Sequence, residues 1–282
     1  GGALGADCVL LENHGVVIGG RDLREAFQRF ETLEFVAQTL IHAAGLGPVQ
    51  VLPPAHLGVE TMPEFGALPA IPVSNREREL RTAIPRFVHR AYHQRLLIST
   101  AGAFSARLDA EDFLITPRRR DRLELTAAGV VRCRRGDCEP GKRPSRAALL
   151  HALIYARHPG VGAIINAQPA HASAFCMTAA PLSTRTIPES YIVLNEAPKL
   201  PFLRIVEDAD RIAGEVSLGR RPVILIANEG ALVLGRDILD AFDRLEVLEA
   251  TTEALLLARP LGPVVPMPAD AIAELRRVFG VQ

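Results

Sequence analysis

Few residues of this sequence have the types and spacing that chemistry needs. His14 sits in an Asn13-His14-Gly15 turn between two short apolar runs. An imidazole there can ligate a metal or titrate near neutrality, but taken alone it reads as a turn residue bonded to backbone. His151 lies on a helical segment, facing the same way as Ala147 and Ile154, which is the placement of a packed core histidine. Cys133 and Cys138 flank a turn in Cys-Arg-Arg-Gly-Asp-Cys. Zinc would need two further ligands at suitable spacing, and none is evident. A cross-turn disulfide would need an oxidising compartment. Arg118-Arg119-Arg120 reads as a solvated loop, or as an anion-binding cluster beside Arg146.

The elements that must position these residues follow from periodicity and capping. Residues 9–11 and 16–18 are short apolar strands around the His14 turn. Asp22 with Glu25 reads as a capping box, and Ala26, Phe27, Phe30, Leu33, Val36, Ala37 and Leu40 then recur at helical spacing until Gly45 ends the helix. Residues 46–73 hold Pro48, Pro53, Pro54, Pro63, Pro69 and Pro72 and read as a linker with one short helix near Pro54. Ser74 with Glu77 opens a helix whose Leu80, Ile84, Phe87, Val88 and Ala91 share a face. Segments 96–100, 103–108, 113–116 and 130–134 read as strands, and Ser145 caps a helix running to 157. Segment 163–167 is a buried strand, Pro169 opens a helix, and 208–216 is helical. Strands at 223–227 and 231–234 precede a long helix over 236–258. Strands that follow one another directly, with helices between groups of them, predict an α/β fold. The expected form is a three-layer α/β/α arrangement with a mixed, mostly antiparallel central sheet.

One repeat organises the chain. Segments 8–53 and 223–268 match without gaps at a separation of 215 positions, as Leu10 with Leu225, Asn13 with Asn228, Asp22 with Asp237, Phe27 with Phe242 and Glu34 with Glu249. Residues 74–222 precede the second segment, but only residues 1–7 precede the first. The expected division is a C-terminal fragment of a first copy at 1–45, a Pro-rich linker at 46–73 and a nearly complete second copy at 74–282. A hairpin and one helix cannot bury enough apolar surface to offset their ordering entropy. The fragment is therefore expected to pack on the second copy, within a longer tandem protein.

Composition narrows the function classes. The 282 residues carry 48% apolar and 23% charged side chains, the globular range. Lys plus Arg and Asp plus Glu are 32 each, which argues against nucleic acid or an anionic membrane as partner. No apolar run is long enough for a membrane-spanning helix. Four cysteines are too few for a disulfide scaffold, and a cytoplasmic protein is expected.

The second copy resembles the class II aldolase/adducin head family in a series of ordered landmarks. Thr100-Ala101-Gly102-Ala103-Phe104-Ser105-Ala106-Arg107 is similar to T-x-G-N-x-S-x-R, and Phe113-Leu114-Ile115-Thr116-Pro117 to F-L-I-T-P-S-G. Arg143-Pro144-Ser145, with Leu150-His151 and Ile154-Tyr155, resembles K-P-S-S-E followed by L-H and I-Y. Asn166-Ala167-Gln168-Pro169 resembles H-T-H-P, and Asn228-Glu229-Gly230, like Asn13-His14-Gly15, resembles N-H-G. The resemblance implies three His holding a divalent, zinc-like ion that stabilises an enediolate. It also implies a Glu that shuttles a proton, and G-N, S-G and S-S turns that bind phosphate.

Departures from the pattern decide the reading. The metal positions fall on Asn166, Gln168 and Glu229, and the acid/base position on Ala147. The phosphate turns fall on Gly102, Arg118 and Arg119, and Ser145 and Arg146, leaving an anion-binding group as the sharper expectation there. Neutral amides are weak zinc ligands, so no cofactor is expected in the second copy. His171 together with Glu229 is one conceivable replacement pair. His14 keeps the third ligand position of the first copy, so a zinc or other divalent site is implied for a full-length first copy, with its two partner ligands upstream of Gly1. The chain is thus expected to be a structural or pseudo-enzyme half of a tandem aldolase-type lyase acting on a small sugar or hydroxycarbonyl compound. The alternative is a non-catalytic, adducin-like oligomerisation module. Family members often form tetramers with active sites between subunits, so self-association is expected.

Overall fold

Two sets of apolar side chains on opposite faces of one sheet hold this fold together. The computed structural model describes residues 6–58, 60–69 and 71–281. A separate antiparallel hairpin, β1 (Cys8–Leu11) and β2 (Gly15–Ile18), leads into α1 (Leu23–Ala44). A 3-10 turn at Pro54–His56 and the two-residue β3 (Gly66–Ala67) precede α2 (Asn75–His93). Then come β4 (Ala103–Arg107), β5 (Asp112–Ile115), β6 (Val131–Arg134) and β7 (Asp137–Cys138). α3 (Ala148–Arg157), β8 (Ala163–Ala167), α4 (Ala170–Cys176), α5 (Pro188–Leu194), β9 (Lys199–Leu200) and α6 (Ala209–Glu215) follow. β10 (Val223–Ile226), β11 (Gly230–Gly235), α7 (Ile238–Ala258) and α8 (Ala269–Phe279) complete the described chain.

The large sheet has the order β3-β7-β6-β5-β4-β8-β11-β10-β9. Its pairs are antiparallel except β3 with β7 and β9 with β10, so the sheet is mixed as expected. Alternation along β8 sends Ile165 into a core with Ile84 and Val88 of α2 and Phe242 of α7. Ile164 turns to the opposite core, with Leu150 and Ile154 of α3 and Ile212 of α6. Side chains pointing to opposite faces at a period of two residues generate the three layers. Among the described residues no helix is long and apolar enough to cross a membrane.

The two matched segments share local geometry. Leu10 pairs with Val16 in the first hairpin and Leu225 with Ala231 in the second. Asn13 and Asn228 both take left-handed φ, 54° and 57°. Asp22 accepts from the Glu25 amide at 2.8 Å, and Asp237 from the Asp240 amide at 2.9 Å. A Cβ at Gly20 or at Gly235 would strike the backbone of Ala26 or Ala241, so both positions need glycine where strand meets helix.

Several local expectations are corrected. Residues 96–100 form turns rather than a strand, with Arg95 and Ser99 at φ 60° and 47°. Ser145 does not cap α3, which starts after Ala147 with no side-chain cap. The segment 46–73 is more than a linker, because β3 adds to the edge of the main sheet and Gln50 donates its amide to Met177 at 2.7 Å. Helix α1 does pack on the second unit: it lies against α4, with His42 over His171 at 4.2 Å between ring centroids, and Tyr92 donates its hydroxyl to Glu31.

Candidate functional site

A cleft of about 450 Å³ collects Gly102, Arg118, Arg119, Ser145, Arg146, Ala147, Asn166, Gln168 and Glu229. Nine positions singled out along 128 residues of sequence thus converge, and the fold explains how (Gly102 to Glu229). Asn166 lies near the end of β8, with Gln168 just beyond it. Glu229 lies in the tight β10–β11 turn, which the left-handed Asn228 makes possible. Ser145, Arg146 and Ala147 lead into α3. Gly102, at φ 73°, enters β4 so close to Leu97 and the Asn166 carbonyl that a Cβ would collide with both. Thr32, Phe35 and Val36 of α1 also line the cleft.

The polar groups are paired in a specific way. Arg146 bridges Glu60 at 3.0 Å and Glu229 at 2.8 Å. Glu60 itself accepts from the Val206 amide at 2.9 Å. Burial pushes the Glu229 carboxyl up to about 7, against the attraction of Arg146 and helped by repulsion from Glu60. Arg118 is lowered, first by burial and then by the like charges of Arg119, Arg146 and Arg143. Neither Arg118 nor Arg119 has a side-chain partner among the described residues.

Beneath the cleft, His151 is fully buried. Its Nδ1 lies 2.7 Å from Ser105 Oγ and its Nε2 2.6 Å from Asn166 Oδ1, and Ser105 meets the Tyr155 hydroxyl at 2.8 Å. One set of directions satisfies every group: Tyr155 donates to Ser105, Ser105 to Nδ1, and Nε2 to the Asn166 oxygen. Burial lowers His151 to about 4, so the ring stays neutral and serves as structure.

The residues at the positions implied for a metal do not fit one. Asn166 spends its oxygen on His151 and Glu229 is held by Arg146, while Gln168 contributes a buried, unpartnered amide oxygen. Among the described residues no group of three or more His, Cys, Asp and Glu is placed to hold an ion. Two neutral amides and one ion-paired carboxylate are a poor donor set for zinc. His171 does not join Glu229: its Nδ1 is 2.8 Å from Glu249. His14 lies in the β1–β2 turn, exposed and apart from the cleft, with its amide donating to Leu11 at 3.1 Å. Cys133 and Cys138 are buried free thiols facing each other across β6 and β7.

Three contributors were not found from the sequence. Glu60 lies in the Pro-rich segment, where no pattern marks it. Arg122 is 2% exposed and its guanidinium donates to the carbonyls of Thr100, Ala101, Gly102 and Pro117 at 2.6–3.1 Å. It fixes the turn that carries Gly102, although burial lowers it to about 10. The third is the α1 wall, whose helical periodicity shows a face but not what that face covers.

The Class II Aldolase and Adducin N-terminal domain model matches residues 2–41 and 82–256. The chain belongs to this class II aldolase family. The 3-oxo-tetronate 4-phosphate decarboxylase of Haemophilus influenzae is 29% identical over 188 residues, covering 63% of this chain and 85% of that protein. The methylthioribulose-1-phosphate dehydratase of Bradyrhizobium is 27% identical, covering 57% of this chain and 82% of that protein. An L-fuculose 1-phosphate aldolase structure superimposes with a TM-score of 0.62 at 20% identity, covering 74% of this chain and 98% of that one. A sugar-phosphate aldolase from Thermotoga maritima gives 0.59 at 20% identity, with 66% and 97% covered. These structures share the class II aldolase fold seen here.

Proposed function

We propose that this chain keeps the class II aldolase scaffold without its metal-dependent chemistry. In this reading the cleft binds a small organic anion, and the chain is the supporting half of a tandem aldolase-type lyase. The Arg146–Glu229 ion pair carries it: at 2.8 Å from a guanidinium, the carboxylate is no free metal donor. Ala147 offers no proton at the acid/base position, and Arg118 and Arg119 supply unpaired positive charge where the family resemblance implies a phosphate turn. The decarboxylase and dehydratase relatives are named for phosphorylated small molecules, which makes a phosphate the natural anion. His14 would belong to a divalent-metal site completed by a full-length first copy. The working form would be cytoplasmic and self-associated, up to a tetramer.

Calorimetric titration with zinc and with inorganic phosphate, together with a lyase assay on small sugar phosphates, tests this reading. Phosphate binding that is lost in Arg146→Gln, with no stoichiometric zinc uptake and no turnover by residues 1–282, is expected. One equivalent of zinc lost on Glu229→Ala would overturn it. The second reading, an adducin-like association module, is favoured by the exposed apolar face of α1. It would replace the first if phosphate failed to bind while the chain still self-associated.

A further inference from the structure

We infer that the cleft selects an amphipathic anion, a small organic phosphate or carboxylate with an apolar substituent, and that Phe35 of α1 is the residue that selects it. The inference rests on the anion-binding reading above and names the class of ligand. The lining is of two kinds. Arg118, Arg119, Arg146, Ser145, Gln168 and Glu229 are polar, whereas Phe35 and Val36 of α1, with Ile98 and Ile205, give the cleft an apolar surface. The only hydroxyl α1 directs there, that of Thr32, already donates to the Gln28 carbonyl at 2.8 Å. Hydroxyls of a ligand that reach the Phe35 surface would face apolar carbon, where unpaired polar groups cost free energy. A ligand with an apolar group would bury it there.

The repeat shows that this wall is not a scaffold requirement. Phe35 and Val36 correspond, 215 positions on, to Ala250 and Thr251 of α7. The same helix in the same fold therefore does without a large apolar side chain at the first position and carries a hydroxyl at the second. Phe35 is not needed to fill a closed core either. With Ile98 it also lines a second cleft of about 440 Å³, so these two side chains stand between two openings. The size and apolar character of Phe35 are explained by what it faces.

Calorimetry on the full chain with phenyl phosphate, glycerol 3-phosphate and inorganic phosphate tests the inference. Phenyl phosphate is expected to bind about tenfold more tightly than glycerol 3-phosphate. Phe35→Ser should abolish that preference, and Phe35→Leu should retain most of it. If Phe35→Ser fails to fold, Val36→Asn, at an exposed position, carries the same expectation. Equal affinity for phenyl phosphate and glycerol 3-phosphate would overturn the inference and leave the anion-binding reading standing. Failure of all three phosphates to bind would overturn both.

Discussion

Glu229 and His151 titrate in opposite senses, and each leaves its own mark on stability. The Glu229 carboxyl is raised from 4.5 to about 7, so the folded chain holds this proton more tightly than the unfolded chain. Its stabilising contribution is full below pH 4.5 and is lost as pH rises through about 7. Glu229→Gln should flatten that limb in thermal midpoints taken across the interval, and an unchanged slope would show that the carboxyl is ionised throughout. His151 is lowered from 6.5 to about 4. Its contribution is present above pH 6.5 and is lost as pH falls through about 4. Removing its acceptor with Asn166→Ala strands a buried N–H and is expected to cost about 1–3 kcal/mol in denaturant unfolding at neutral pH. A smaller loss would mean that another acceptor reaches the ring.

At the scale of elements, the turn before β4 depends on one side chain. Arg122 spreads its guanidinium over five carbonyls, a planar pattern that an ammonium cannot copy. Arg122→Lys should cost about 1–3 kcal/mol for each carbonyl left unpaired and should weaken phosphate binding with it. Intact stability together with intact binding would refute that dependence. The same turn shows where sequence reading stops. Leu96, Leu97 and Ile98 look like a strand because apolar runs of that length usually are one. The chain curls there through backbone turns, with Leu96 donating to Ala91 and Ala101 to Ile98, and Arg122 takes up the carbonyls that follow from Thr100 to Gly102; no local spacing announces this. Segments with strong alternation or capping were legible: β4, β5 and β8 lie where periodicity places them to within a residue, and Asp22 and Ser74 cap α1 and α2. β3 is two residues long, too short to carry a period. The cleft was legible position by position, through the order of its landmarks. Its pairings were not, since Arg146 reaches Glu60 and Glu229 across 86 and 83 residues of chain.

At the scale of the whole molecule, one sequence pattern occurs in two settings with opposite burial. Leu225 and Phe242 are 0% exposed, whereas their counterparts Leu10 and Phe27 are 75% and 49% exposed. The second hairpin has β8 along one edge and β9 along the other, and α7 packs beneath α2, α4 and α5. The first hairpin pairs only within itself among the described residues. A free strand edge beside a contiguous apolar face tends to find a partner. Sedimentation velocity over a concentration series is therefore expected to show reversible self-association. The double variant Leu23→Lys with Phe27→Lys should shift it to monomer with little change in thermal midpoint, since both side chains are largely exposed. Phe242→Lys makes the matching change in a closed core, in contact with Phe87 and Phe104, and should cost at least the roughly 3–5 kcal/mol of a deleted buried aromatic. If the chain stays monomeric at every concentration, or if the double variant unfolds it as Phe242→Lys does, then the face of α1 belongs to this molecule's own core and is not an interface.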